Sequence, residues 1–195
     1  MEEQVLTAAT ERTQPQMDVI LSADQIRRRV HELAQEIDRD FIDDTPILIG
    51  MLKGSFIFVA DLCRAIAIPH HIDFMAVAAY GAGTAATGAP KLLKDLTVNI
   101  TGRSVLVVED IVDTGATLSH IRRLLLARQP RRLAAVALLD KRTHEDPELP
   151  IEFVGFRIDG GFVVGYGLDL AERYRHLPYI GRLNPTQTEE TDTRV

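Results

Sequence analysis

The chain has 195 residues, 46% of them hydrophobic, and a formal net charge of -6. That length buries one sizeable core and forces no second domain. The acidic balance argues against a nucleic-acid binder, whose surface carries a basic excess or stripe; no apolar run approaches a membrane span, and a single cysteine, Cys63, allows no internal disulfide.

The opening Met-Glu-Glu-Gln is acidic where a secretory signal would be basic, so the expected location is the cytoplasm. Residues 1–19 are polar without an apolar period and are expected as a flexible arm. Ser22 then opens a helix, with Gln25 three residues on as in a capping box. Ile26, Val30, Leu33 and Ile37 form its apolar face. The arginines at 27–29, like Arg131 and Arg132 later, read as solvated surface.

Pro46 leads into Ile47-Leu48-Ile49-Gly50-Met51, a buried-strand pattern that breaks at Leu52-Lys53-Gly54 before a helix carrying Phe56, Val59, Leu62 and Ile66. Cys63 falls on the apolar side of that helix and reads as core. Lys53 is either solvent-facing or, if its turn lies beside the acidic turn described below, part of a site. Ile72–Ala78 is a further expected strand. The small residues that follow, with Tyr80 and Gly81 at their start, cannot bury much area; the stretch at about 79–91 is a disordered loop, a lid that excludes water during turnover, or both. Residues 91–95 return the chain toward its centre.

The centre is Ser104 to Leu118. Val105–Val108 is a run of apolar, mostly β-branched residues that suits a strand covered on both faces, and the strand is expected to end at Glu109 and Asp110. The carboxyl end of a strand is where an open α/β sheet presents ligand groups. Asp113 adds a third acid within five residues, and Thr114, Gly115, Ala116 and Thr117 make a small, hydroxylated turn. Leu118, Ile121 and Leu125 follow at helical spacing, so the turn opens a helix whose first amides form a phosphate cradle. Two carboxylates for hydroxyls or a metal, one for proton transfer and an anion site are thus packed together. Three acids placed so closely repel one another and are costly for folding alone.

Leu133–Leu139 is another expected strand, ending at Asp140-Lys141-Arg142. Lys141 either pairs with Asp140 or donates to a ligand carbonyl, since an ammonium has donors only. Phe162 alone would read as core, but with Lys141 it offers a stacking face for a flat base. Residues 184–195 form a polar tail.

The segment around Glu109–Thr117 resembles the phosphoribosyl pyrophosphate signature of the type I phosphoribosyltransferases. The run Phe162 to Arg175 is similar to the C-terminal purine-binding segment of the hypoxanthine-guanine members. Over residues 21–183 the resemblance implies a type I phosphoribosyltransferase fold: a central parallel sheet flanked by helices, with a small hood built from the chain ends. The expected organisation is one domain over residues 20–183 between the arm and the tail.

The same resemblance implies phosphoribosyl pyrophosphate and a 6-oxopurine as substrates, and a purine-salvage transfer giving IMP or GMP. Mg2+ would be held by Asp169 and by the ribose diol that Glu109 and Asp110 orient. Asp113 would take the purine proton, and the turn Asp113–Thr117 would hold the 5-phosphate. Leu52, Lys53, Gly54 and Arg175 would meet pyrophosphate, and Lys141, Phe162 and Val163 the purine beside Asp169. The lid normally carries Ser-Tyr-Gly; here Ala79 replaces the serine. Members of the family usually pair, so a homo-oligomer, dimer or tetramer, is expected, with no nucleic acid and no membrane as partner. The rival class is a regulator that keeps the site as a sensor; within the enzyme class the runner-up is a xanthine or pyrimidine transferase.

Overall fold

The computed structural model describes residues 17–78, 91–144 and 146–183. In chain order the elements are β1 (Met17–Leu21), α1 (Ala23–Asp40), β2 (Ile47–Leu52), α2 (Phe56–Ala65), β3 (His71–Ala78), β4 (Lys91–Lys94), β5 (Ser104–Val112), α3 (Ala116–Leu126), β6 (Arg132–Asp140), β7 (Phe153–Arg157), β8 (Val163–Val164) and β9 (Ile180–Leu183). Six strands form one sheet in the order β4-β3-β2-β5-β6-β7, and β1-β9-β8 form a second, smaller sheet, the hood.

Strand periodicity explains the layering. In β2 and β5 successive side chains alternate between two cores: Leu48, Leu106 and Val108 join α1 and α2 on one face, while Ile47, Ile49, Val105 and Val107 join α3 on the other. Both faces are covered, so Ile47–Leu52 and the Val105–Val108 run of β5 carry no polar side chain. Leu118, Ile121 and Leu125 are the buried stripe of α3, as their spacing requires. On α1 the Ser22 hydroxyl accepts from the Gln25 N–H at 3.3 Å, and the Gln25 side chain accepts from the Ser22 N–H at 2.8 Å. Such a cap stabilises a helix start by about 1 kcal/mol.

Five expectations need correction. Strand β1 begins at Met17, inside the stretch expected as an arm, because its backbone pairs antiparallel with β9 although Val19 stays exposed. The sheet is not wholly parallel: β4 lies antiparallel to β3 at the edge, where no crossover helix is needed. Strand β5 does not stop at Glu109 and Asp110. It continues to Val112 because β6 runs alongside and pairs Glu109 with Ala137 and Val112 with Asp140. In α2 the fully buried aromatic is Phe58, four residues before Leu62, while Phe56 at the helix start is exposed. Arg29 is not solvated decoration: its guanidinium donates to the carbonyls of Val154 and Gly155 at 2.8 and 3.0 Å, tying α1 to β7.

The connections from β2 through α2 to β3 and from β5 through α3 to β6 leave the centre of the sheet in opposite directions. The carboxyl ends of β2 and β5 therefore flank a topological switch point, where the two outgoing loops splay apart and leave a crevice. Among the described residues no helix is long and apolar enough to cross a membrane.

Candidate active site

At the switch point lies a cleft of about 530 Å³. Leu52, Lys53 and Gly54 enter it from the loop after β2; Asp110, Ile111 and Asp113 enter from the end of β5; Lys141 enters from the end of β6. The hood closes the opposite wall with Phe162, Val163, Leu168, Asp169, Glu172 and Arg175. A second cavity of about 280 Å³ is lined by the continuous segment Glu109–Leu118 and shares Asp110 and Asp113 with the first. Thr114 and Lys141 border a third space together. The Thr114–Thr117 turn, Lys141 and Asp169 therefore border adjoining cavities that share lining residues.

The walls come very close where the acids sit. A Cβ added to Gly54 would lie 1.7 Å from Oδ2 of Asp110, and one added to Gly167 would lie 2.1 Å from the Gly54 carbonyl oxygen. Gly167 also has φ +102, a conformation that L side chains rarely adopt. These two glycines let the β2 loop, the β5 carboxylate and the hood pack without a gap. The Leu52–Lys53 peptide in that loop is cis.

The acids are charged at a cost. Burial, with the adjacent Asp110 charge, pushes the Glu109 carboxyl well above the usual carboxylate range. Burial also pushes Asp110 up to about 6, with Asp169 adding to the rise and the Arg175 guanidinium and two backbone N–H groups opposing it. Consecutive strand residues face opposite sides, and Glu109 lines the turn-side cavity but not the larger cleft. Among the described residues no group of three acids, histidines or cysteines is placed to hold a cation by itself. What remains is Asp110 and Asp169 on one cleft, repelling each other, an arrangement that a divalent cation relieves. Two carboxylates completed by substrate oxygens and water are the donor set that Mg2+ takes at phosphate sites.

Asp113 is exposed on the cleft rim and pairs with the largely buried Lys141 ammonium at 3.3 Å. Lys141 does not pair with Asp140, because Arg142 takes that carboxylate: its Nε and NH2 atoms donate to Asp140 at 2.9 and 3.0 Å and its NH1 donates to the Leu149 carbonyl. The Lys141 backbone N–H donates to the Val112 carbonyl at 2.9 Å, so the lysine is fixed to the end of β5 beside Asp113. Helix α3 starts at Ala116 after Gly115, which supplies no side-chain cap; the Ala116 N–H is met by the Thr114 hydroxyl at 3.3 Å. First-turn amides without a side-chain cap are the ready anion site of a helix start.

On the hood side Phe162 is 43% exposed while Val163 behind it is buried, so an aromatic ring is held at the cleft by a strand anchored in the core. Arg175 donates to the Gly167 carbonyl at 2.7 Å and pairs with Asp169 at 2.8 Å. Sequence reasoning missed Ile111, Leu168 and Glu172; the only signal for Glu172 was an acid between Asp169 and Arg175. The lid residues Tyr80 and Gly81, with Ala79, lie outside the described residues.

Fold and cleft define a doubly wound α/β protein with a nucleotide-sized site at its switch point. The phosphoribosyl transferase domain model matches residues 16–171. The chain is 47% identical to a hypoxanthine phosphoribosyltransferase of Salmonella typhimurium over 86% of its length and 95% of that protein. It is 43% identical to a hypoxanthine-guanine phosphoribosyltransferase of Bacillus subtilis over 88% and 95%. A crystal structure of a hypoxanthine-guanine phosphoribosyltransferase from Bacillus anthracis superposes with a TM-score of 0.81 at 46% identity, covering 86% of this chain and 98% of that one. The chain belongs to the phosphoribosyltransferase family, in its hypoxanthine and hypoxanthine-guanine branch.

Proposed function

We propose that this chain transfers the 5-phosphoribosyl group of phosphoribosyl pyrophosphate to N9 of hypoxanthine, and of guanine, giving IMP or GMP and pyrophosphate. The observation that carries this reading is the single cleft bordered by Asp110, Asp113, Lys141, Asp169 and Arg175. Leaving-group, sugar and base subsites are thereby within one substrate's reach.

Breaking the glycosidic C–O bond leaves an electron-poor ribose carbon, so the protein's task is positioning and electrostatic stabilisation. The turn Asp113–Thr117 and the first amides of α3 hold the 5-phosphate. Asp110 and Glu109 orient the ribose diol, their carboxyl oxygens accepting from its hydroxyls. Asp110 and Asp169 are the groups that would hold Mg2+, which supplies charge neutralisation for the departing pyrophosphate. Lys53, the backbone of Leu52–Gly54 and Arg175 line the pyrophosphate side.

Across the cleft Phe162 stacks on the purine, the Val163 backbone meets its polar edge, and Lys141 donates to O6. Asp113 accepts the ring proton, most directly at N7, as N9 attacks. Its pairing with Lys141 links base recognition to proton removal: an oxo group that engages the ammonium leaves the carboxylate free for the ring N–H. A donor with this many charges does not cross a bilayer, which supports a cytoplasmic enzyme; a homo-oligomer, dimer or tetramer, is the assembly inferred from the family.

The test is a panel of hypoxanthine, guanine, xanthine and adenine with phosphoribosyl pyrophosphate and Mg2+, alongside filter binding to RNA and DNA. Turnover with the 6-oxopurines, little with adenine and no nucleic-acid retention is expected. Preferred turnover of adenine would overturn the Lys141 assignment, and nucleic-acid binding without turnover would favour a sensor.

A further inference from the structure

The cations on the leaving-group side of the cleft are already engaged by a carboxylate to which no motif gives a role. Glu172 Oε1 accepts from Lys53 Nζ at 2.9 Å, and its Oε2 pairs with the Arg175 guanidinium at 3.2 Å. One side chain thus spans the loop after β2 and the hood. The Glu172 backbone N–H donates to Asp169 at 2.8 Å, which fixes its base beside the proposed cation site. Hydrogen bonds from Lys53 and Arg175 hold the Glu172 carboxyl below its ordinary range, so it is ionised at neutral pH. Arg175 Nε, by contrast, is buried with no hydrogen-bond partner among the described residues. A buried donor without a partner is uncommon, and here it belongs to a guanidinium that borders the cleft.

Two cations from different elements joined by one carboxylate is the arrangement that a bound anion would itself create. We propose that Glu172 is a built-in competitor for the leaving group: in the ligand-free protein it bridges Lys53 and Arg175, and it must swing aside before a pyrophosphate takes the same two cations. This rests on the pyrophosphate assignment of Lys53 and Arg175 above. The Lys53 and Glu172 side chains are 68% and 64% exposed, so the bridge is a weak, reversible one. If it is closed in about half to four-fifths of molecules, apparent affinity for the anion falls about two- to fivefold, because only the open fraction binds. The bridge re-forms as product leaves and so favours release.

The test is calorimetric titration of the full chain with inorganic pyrophosphate and Mg2+, comparing wild type, Glu172→Gln and Glu172→Asp. Aspartate keeps the charge, but its shorter side chain does not span both cations. Both variants are expected to bind about two- to fivefold tighter than wild type at low salt, with the gap narrowing as salt screens the bridge. Tighter binding by glutamine alone, with aspartate matching wild type, would mean that Glu172 acts only as a nearby charge and would overturn the bridge. Weaker binding by either variant would also overturn it, since Glu172 would then be helping to hold the anion. Failure of the pyrophosphate assignment itself is read separately, as wild type that shows no pyrophosphate binding at all.

Discussion

Asp110→Asn changes one atom type at the tightest point of the site, and the structure gives the size of the effect. The carboxyl is raised from an ordinary 3.8 to about 6, chiefly by burial. A folded-state value above the unfolded one means that the native protein binds more protons between those values, so this group's contribution is most favourable below 3.8 and is lost as pH rises through about 6. At pH 7 the ionised carboxyl therefore costs about 3 kcal/mol relative to a neutral group in the same place.

Asparagine is nearly isosteric and carries no charge. It is expected to raise stability at pH 7 by up to about 3 kcal/mol, or roughly 6–12 °C in melting temperature for a domain of this size. The advantage shrinks to about 0.5 kcal/mol at pH 4, where the native carboxyl is already protonated. Turnover is expected to fall at the same time, since the variant loses the charge proposed to hold the cation and the diol; stability surrendered at a working site is a common trade. Thermal melts of both proteins at pH 4 and pH 7, with donor binding measured at pH 7, check both halves. A variant less stable than wild type at pH 7 would refute the reasoning, because Asp110 would then be a net stabilising charge.

Asp113→Asn is expected to leave donor binding largely intact and to lower turnover by roughly two to four decades, the usual share of acid–base catalysis; near wild-type initial rates would remove Asp113 from the chemistry. Lys141→Gln should relax or invert the preference for hypoxanthine over adenine, read as the ratio of kcat/KM values, and an unchanged ratio contradicts the O6 contact. Asp73 accepts from the N–H groups of Phe74, Thr97 and Val98 and from the Thr97 hydroxyl. Burial alone would raise its carboxyl, yet those donors hold it down at about 2, so its contribution is present above 3.8 and lost only as pH falls through about 2. Asp73→Asn should therefore cost about 2 kcal/mol in denaturant unfolding at pH 7, with no change in base preference.

What was legible in the sequence was whatever burial on both faces makes continuous. Val105–Val108 and Leu133–Leu139 announce central strands because no position there is free to be polar, and Ser22 with Gln25 announces a helix start because the cap is local. Elements stabilised by distant partners were not legible: β1 and β9 are held by each other across nearly the whole chain, and β7 by β6 and Arg29. The acids at 109, 110 and 113 stood out because charges at a strand end conflict with folding. That Glu109 lines only the turn-side cavity while Asp110 and Asp113 line both did not, since it depends on which face of β5 Glu109 occupies and on how far β6 extends that strand. Glu172 was invisible for a related reason: its role is defined by Lys53, which the hood meets only after folding.

The central claim is that one cleft holds donor and base together and joins them. The most direct measurement is product stoichiometry with the full chain, phosphoribosyl pyrophosphate, Mg2+ and hypoxanthine. One pyrophosphate released per IMP formed is expected, with no release when either the base or the metal is withheld. Donor hydrolysis without hypoxanthine, or no nucleotide formed in its presence, would contradict the account.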